Sequence, residues 1–174
     1  HEWLDDIEPP KASLEIFEDD SRSILSRNDS PDLPFRWSIN PYRGCQHSCG
    51  YCYARPSHEY LGFGAGTDFD FKIIMKPRAG QLLKEAFHKK SWRGELIHFS
   101  GITDCYQPIE AVYKLTRACL ELCRDYCNPV SIITKGALIE RDMDLLIELN
   151  KAASCDVCLS IPFLDNDTAR KIEP

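Results

Sequence analysis

Three cysteines lie close together in the sequence with the residue type and spacing needed to bind a metal cluster. Cys45, Cys49 and Cys52 form a C-x3-C-x2-C pattern in the segment NPYRGCQHSCGYCYAR. Thiolates are the usual protein ligands of iron–sulfur clusters, and three of them can hold three corners of a cubane while one iron stays open. Gly44 and Gly50 allow the chain to wrap closely around such a group. The pattern predicts a [4Fe–4S] cluster with one iron available to a second molecule.

Two other interpretations of these cysteines are open. A zinc site would need a fourth ligand such as His47 or His58, and this cysteine spacing is not a common zinc pattern. Three buried structural thiols would fit poorly with a loop that is rich in glycine and polar residues. Spacing and context together favour the iron–sulfur interpretation.

The composition limits the class of protein. The chain has 174 residues, of which 43% are hydrophobic and 28% charged, as in an ordinary globular domain. No apolar run approaches the roughly 20 residues of a membrane span, and the start lacks the features of a signal peptide. We therefore expect a cytoplasmic location and no membrane partner. Nine cysteines in a reducing compartment indicate metal binding or catalysis, and the net charge of −6 argues against nucleic-acid binding by overall electrostatics.

Hydrophobic patterning predicts a parallel α/β fold. Residues 1–34 are acidic, contain four prolines and lack a sustained period, so we expect an extended N-terminal segment before a domain over residues 35–174. In that domain, short apolar strands alternate with amphipathic helices, which is typical of a parallel sheet with right-handed crossovers. The predicted strands are 35–39, 69–75, 95–100, 130–134 and 156–161; the predicted helices are 78–90, 109–126, 140–149 and one capped by Asp165. Four such units do not close an eight-stranded barrel, so we expect a parallel sheet that is truncated after about four βα units.

Three segments carry a family resemblance. NPYRGCQHSCGYCYARPSHEYLG, TDCYQPIE and IITK resemble the radical S-adenosylmethionine (SAM) superfamily, and within it the spore photoproduct lyase-like branch, also called DNA repair photolyase-like. The resemblance implies a partial (β/α)6 barrel in which the cluster reductively cleaves SAM to a 5′-deoxyadenosyl radical in a lyase-like reaction. It further implies an electron donor such as flavodoxin or ferredoxin, and it suggests a nucleic-acid lesion as the substrate.

The resemblance also implies a set of SAM-binding residues, of which Thr103, Lys135 and Ser160 lie at the ends of successive predicted strands. Thr103 would give a hydroxyl to the SAM carboxylate and Lys135 would be its cation partner, with Asp104 in the same segment. Ser160 would meet the ribose, and Tyr51 would lie against the adenine. Taken singly, each is also typical of an ordinary strand-end or loop residue, and Asp104 could cap a turn. Their joint placement at carboxyl ends of strands, where α/β barrels bind ligands, favours the binding role.

Cys105 is a candidate catalytic residue. Spore photoproduct lyase uses a cysteine at the end of its second strand to return a hydrogen atom to the product radical. The corresponding position in this chain is Gly101, and Cys105 follows four residues later. Cys105 is therefore predicted as a substitute hydrogen donor. Because Gly101 stands where the donor cysteine would be, the resemblance supports radical formation more strongly than dimer repair by the same route.

A second functional class is a non-catalytic zinc or iron–sulfur module that serves structure or partner binding. For an enzyme that acts on nucleic acid, the residues flanking the cysteines could form a rim that stacks on bases or contacts phosphates. The alternative is that they pack within the loop. These residues are Tyr42, Arg43, Tyr53 and Arg55.

Overall fold

The chain folds into a mixed α/β structure with two sheets, seen in a computed structural model that describes residues 13–173. The strands are β1 (Glu15–Glu18), β2 (Leu25–Arg27), β3 (Trp37–Ile39), β4 (Tyr42–Arg43), β5 (Lys72–Met75), β6 (Ile97–Phe99), β7 (Val130–Thr134) and β8 (Cys155–Leu159). The α-helices are α1 (Thr67–Phe71), α2 (Ala79–Phe87), α3 (Glu110–Tyr113), α4 (Leu115–Asp125), α5 (Met143–Ala152) and α6 (Asn166–Ile172). Two 3-10 helices cover Arg55–Leu61 and Ala137–Asp142.

The larger sheet has the strand order β2-β3-β6-β7-β8. Strands β3, β6, β7 and β8 run parallel, and β2 pairs with β3 in the antiparallel direction at one edge. The expected alternation of parallel strands and helices is therefore confirmed, in an open sheet with edges at β2 and β8. Ile39, Ile97 and Val130 are fully buried in its core, because a parallel sheet covered by helices carries apolar residues on both faces.

The smaller sheet has the order β1-β5-β4, with β5 parallel to β1 and antiparallel to β4. The sequence predicted one strand over residues 69–75, but its first part belongs to the short helix α1. Phe69 turns inward there and is 1% exposed, packed against Cys45 and Ala54. The tertiary packing of this aromatic side chain overrides the strand pattern.

The described part of the N-terminal segment is extended and adds an edge to each sheet. Residues 15–18 form β1 beside β5, and residues 25–27 form β2 beside β3. Ile24, which is 1% exposed, anchors this segment in the main core. The predicted extended structure of residues 1–12 lies outside the described residues. No helix within residues 13–173 combines the length and apolar character that crossing a membrane requires.

The predicted helix over 109–126 is divided into α3 and α4. Lys114 lies between them in the left-handed conformation, with φ of 53°. This break frees backbone N–H groups at the start of α4, and the carboxylate of Glu110 accepts those of Thr116 at 3.0 Å and Arg117 at 3.2 Å. Glu110 thus caps α4 from outside the helix, as N-cap side chains do from its first position.

A buried ionic network surrounds the same carboxylate. Glu110 is 0% exposed, accepts the Tyr42 hydroxyl at 2.5 Å and pairs with the Arg141 guanidinium at 2.9 Å. Arg141 also pairs at 2.7 Å with Asp142, whose carboxylate contacts Arg117 at 2.6 Å. Burial raises the pKa of Tyr42, and the adjacent Glu110 raises it further, so the phenol stays protonated and donates. These contacts tie β4, α3, α4 and the second 3-10 helix together.

Replacing Glu110 with glutamine should lower the free energy of unfolding by about 3 kcal/mol, because a buried ion pair loses one partner. Urea denaturation measures the change. Glu121→Gln is the matched control, since Glu121 pairs with Arg117 but is 44% exposed, and an exposed pair contributes about 0–1 kcal/mol. Equal effects of the two substitutions would contradict this account of the network.

Candidate functional site

The candidate site lies where the parallel strands of the larger sheet end. Asn40 follows β3, Ser100 follows β6, Lys135 follows β7 and Ser160 follows β8. Because the four strands are parallel, these residues lie at one edge of the sheet. Open α/β sheets bind ligands at this edge. The cysteine loop, residues 44–54, follows the short strand β4.

The cysteine loop is a succession of tight turns. Its backbone carries hydrogen bonds from Ser48 N to Cys45 O at 3.3 Å and from Cys52 N to Cys49 O at 3.2 Å. Cys45 and Cys49 are 8% and 7% exposed, Cys52 is half-buried, and all three are free thiols. Burial raises the pKa of the Cys45 thiol to about 12 and also raises the pKa of Cys49. Both thiols are therefore neutral until a metal displaces their protons.

The first anchor of the loop is the carbonyl of Gly44. The Thr103 hydroxyl donates to it at 2.6 Å, and the Gln107 amide donates to it at 3.2 Å. The same Gln107 nitrogen donates to Thr103 Oγ1 at 2.9 Å. Gly44 has φ of +79°, and a Cβ there would lie 2.8 Å from the Phe69 carbonyl oxygen. Only glycine satisfies both the backbone angle and the close approach.

A second anchor lies on the other side of the loop. The Arg55 guanidinium pairs with the Asp70 carboxylate at 2.9 Å and donates to the Cys49 carbonyl at 3.0 Å. Gln46 is held at both ends, since its N–H donates to Gln107 at 3.0 Å and its side chain accepts from Ile109 N at 2.7 Å. These contacts hold the loop mainly through its backbone, so the cysteine side chains take no part in anchoring it.

Asp104 connects the end of β6 to the end of β7. Its carboxylate accepts the Thr134 hydroxyl at 2.6 Å, the Lys135 N–H at 2.8 Å and the Tyr106 N–H at 2.8 Å. It also lies 3.5 Å from His47 Nε2 in the cysteine loop. In this structure Thr103 and Asp104 position the loop and Lys135, because their polar atoms are engaged with the protein. Their direct contact with a cofactor stays a prediction.

Three of the predicted cofactor residues come together in space with a fourth residue that the sequence did not indicate. We call Tyr51, Lys135, Ser160 and Glu173 the mouth cluster. Lys135 Nζ lies 2.7 Å from Glu173 Oε1 and 3.2 Å from Ser160 Oγ, and 5.4 Å from the centre of the Tyr51 ring. The Tyr51 hydroxyl donates to Glu173. Segments more than 120 residues apart thus form one polar group.

The mouth cluster keeps its two opposite charges. Partial burial works against the charged forms of Glu173 and Lys135, but their mutual hydrogen bond and that of Tyr51 outweigh it. The pKa of Glu173 is lowered and the pKa of Lys135 is raised. Cys49 also faces the Glu173 carboxylate, so the cluster borders the cysteine loop directly.

The structure does not favour the predicted hydrogen-donor role of Cys105. Its side chain is 0% exposed within the main core, and burial raises the pKa of its thiol well above the ordinary value. Its carbonyl accepts the Thr116 hydroxyl at 2.6 Å. A thiol enclosed in this way cannot touch a substrate, so Cys105 is a core residue here.

Most of the four residues predicted to form a rim that contacts nucleic acid are not strongly exposed. Tyr42 is fully buried against Glu110, and Arg55 is committed to Asp70 and the loop backbone. Arg43 is half-buried. Tyr53 alone among the four is strongly exposed, at 79%, and its hydroxyl donates to the Gly101 carbonyl. Packing within the fold accounts for most of this set.

The donor set of the cysteine loop fits an iron–sulfur cluster, since three free thiols share one short loop that other residues hold from behind. The side chains are not gathered around a common point. Within residues 13–173, no three His, Cys, Asp or Glu side chains are arranged to hold a metal ion. Binding a cluster would therefore require the cysteine side chains to turn toward one another.

Sequence reasoning missed Gln107, Arg55 as a loop anchor, and Glu173. Gln107 lies within the quoted TDCYQPIE segment, so its proximity to Thr103 was a usable signal. Glu173 carried none, because it follows the last helix and meets Lys135 only through folding.

Relatives occur in bacteria, archaea and a virus. An uncharacterized protein of Mycobacterium tuberculosis is 39% identical over 141 residues, which cover 81% of this chain and 42% of the relative. One of Methanocaldococcus jannaschii is 35% identical over 163 residues, covering 94% and 58%, and one of Acidianus two-tailed virus is 31% identical over 151 residues, covering 82% and 48%. The chain thus spans about half the length of these relatives. No protein-family model and no solved structure matches it.

Replacing Gly44 with alanine should destabilise the protein more than the same change at Gly62, which has nearly the same φ of +77° but no atom within 4 Å of a new Cβ. Left-handed strain costs about 1 kcal/mol in both variants. The contact with the Phe69 backbone adds about 2 kcal/mol at Gly44 alone. Denaturant unfolding compares them, and equal losses would show that the loop yields without cost.

Proposed function

We propose that the chain is the front part of a radical SAM enzyme of the spore photoproduct lyase-like group, in which Cys45, Cys49 and Cys52 hold a [4Fe–4S] cluster. The observation that carries the proposal is the position of the C-x3-C-x2-C loop, which borders the mouth cluster at the carboxyl edge of a parallel sheet. Because the cysteine loop and the charged mouth cluster lie at the same edge of the sheet, they suit a cofactor that binds both a metal cluster and charged side chains.

The proposed architecture is a partial (β/α)6 barrel. Four parallel strands with intervening helices support it. Strand β8 is exposed along most of its length, and a groove of about 630 Å³ runs between it and α5. Exposed apolar side chains border this groove, including Val157, Leu159 and Ile161. Since the relatives extend well beyond the matched part, we propose that further βα units cover β8.

When bound, the cluster supplies the electron that cleaves SAM to methionine and a 5′-deoxyadenosyl radical. The protein's own part is binding and orientation. By the family resemblance, Lys135 would pair with the ligand carboxylate, Ser160 would bond a ribose hydroxyl and Tyr51 would lie against the adenine. Thr103 and Asp104 keep the loop and the Lys135 backbone in register. Together these residues would hold the ligand beside the cysteines in one orientation.

A nucleic-acid lesion is the proposed substrate class, and flavodoxin or ferredoxin the proposed class of electron donor. Both rest on the family resemblance. The buried state of Cys105 and Tyr42 removes two residues that could have supported dimer repair or base contacts. All nine cysteines are free, which suits the proposed reducing, cytoplasmic setting.

The second candidate is a non-catalytic zinc module. One observation favours it: His47 lies in the cysteine loop, and its Nε2 is buried with no hydrogen bond from the described residues, its nearest carboxylate being Asp104 at 3.5 Å. An imidazole at this position could complete a four-ligand zinc site with the three cysteines.

Anaerobic reconstitution with iron and sulfide tests the proposal. We expect a brown protein with about four irons per chain that forms 5′-deoxyadenosine from SAM and dithionite. Serine at each of positions 45, 49 and 52 should abolish iron binding, because the thiolate ligand is lost. Cys127→Ser and Cys158→Ser are matched controls, since both cysteines are exposed and outside the loop.

A colourless protein that binds one zinc, loses it on His47→Ala and leaves SAM intact would overturn the enzyme in favour of the zinc module. Iron loading that survives serine at any of the three positions would contradict the ligand assignment. Iron content and absorbance identify the bound metal and test the cysteine ligands without relying on turnover.

A further inference from the structure

Two cations share the outer face of the smaller sheet. Arg43 lies opposite Ile74 in the antiparallel pairing of β4 with β5, and Lys76 follows Ile74 by two residues. Since side chains alternate along a strand, residues that are opposite or two apart point to the same face. The Lys76 N–H donates to the Pro41 carbonyl at 2.9 Å, which continues the pairing past the end of β5. The other face, which carries Tyr42, packs in the main core.

Both cations lack a partner within residues 13–173. Lys76 is 6% exposed and Arg43 is half-buried, yet neither side chain has an ion pair or a hydrogen bond in this part of the chain. The neighbouring cations Lys72 and Arg78 are each paired with an aspartate, at 3.1 and 3.0 Å. A buried charge costs free energy unless an opposite charge or hydrogen bonds offset its desolvation. A bound anion would supply that offset.

The acidic residue beside these cations balances only one of them. Asp19 follows β1 at the level of Lys76, and its carboxylate accepts the Ser21 hydroxyl at 2.6 Å. Burial lowers the pKa of Lys76 and the adjacent Arg43 lowers it further, whereas Asp19 acts in the opposite direction. With one aspartate for two cations, this face keeps a positive charge.

The two cations lie beside the start of the cysteine loop. Arg43 precedes Cys45 by two residues, and Pro41, which is bonded to Lys76, follows Asn40 at the end of β3. A guanidinium binds oxyanions through a planar fork of donors, and an ammonium adds three donors of its own. Because a phosphate group presents oxygens in several directions, one such group can accept from both cations.

We propose that Arg43 and Lys76 form an anion site that binds a phosphate group. The backbone of a nucleic acid and a free phosphate offer this same chemistry, and only the first source rests on the proposed function. The site lies outside the mouth cluster, and its existence does not depend on the cysteine ligands.

Thermal unfolding of the iron-loaded protein at constant ionic strength tests the site. About 10 mM inorganic phosphate should raise the wild-type midpoint by about 3 °C relative to chloride, because an anion that binds only the folded state stabilises it. The rise should disappear in Arg43→Gln and in Lys76→Met, which keeps the length of the side chain without its charge. The matched control is Lys84→Gln, which removes a charge from an exposed position on α2 and should keep the full rise.

A fluorescently labelled single-stranded oligonucleotide identifies the source of the phosphate. If a nucleic-acid backbone fills the site, each of the two substitutions should weaken binding at least about tenfold. Each should also make the dependence of log affinity on log salt shallower by about 0.7, while Lys84→Gln changes neither quantity. Unaltered oligonucleotide affinity, together with a lost response to inorganic phosphate, assigns the site to a free phosphate.

Equal responses to phosphate in the wild type and both variants would overturn the site. An equal rise with acetate would overturn the assignment to phosphate. A Lys76→Met midpoint well below that of the wild type in chloride would show that Lys76 already has a partner, since loss of an unpaired buried charge does not destabilise a protein. Iron content, measured on the same samples, reports separately on the proposed function: a protein that binds no iron but responds to phosphate only with Arg43 and Lys76 intact refutes the cluster and keeps the site.

Discussion

The carbonyl of Gly44 is the contact on which the candidate site depends. Two side chains from the segment after β6, Thr103 and Gln107, converge on this single oxygen, and the residue that bears it must be glycine because the Phe69 backbone approaches so closely. One carbonyl therefore fixes where the cysteine loop begins relative to the sheet. A metal site needs such support, since ligands on a loop keep their geometry only when surrounding residues hold the backbone.

Two carboxylates, those of Glu110 and Asp104, connect the elements around this contact to the rest of the fold. Beneath it, the buried carboxylate of Glu110 joins β4 to α4 through Tyr42 and the helix N–H groups. At the sheet edge, Asp104 bonds the Lys135 backbone and so aligns the end of β7 with the end of β6. The buried carboxylate of Glu110 and the half-buried one of Asp104 each accept at least three hydrogen bonds, which offsets their desolvation. The same bonds hold the elements that carry the mouth cluster.

Much of the architecture was predictable from local patterns. The apolar runs at β6, β7 and β8 lie between amphipathic segments, and parallel pairing follows from that alternation. The helix that begins after Asp165 was predictable in the same way, since its carboxylate accepts Thr168 N–H at 2.8 Å. The division at Lys114 was not, because its left-handed backbone depends on Glu110 capping α4. The burial of Cys105 and Tyr42 also escaped prediction, since residue type does not tell which side of a loop faces the core.

By itself the sequence determined the chemistry available: three cysteines at cluster spacing, and polar residues at the ends of predicted parallel strands. Those features depend on residue type and short separations, which the chain carries directly. Only the tertiary structure decided which of them meet. It joined Tyr51, Lys135 and Ser160, added Glu173, which lies 122 residues from Tyr51 in the chain, and turned Thr103 toward the Gly44 carbonyl. The physical reason is that a hydrogen bond or an ion pair forms over about 3 Å of space, and the folded backbone sets that separation.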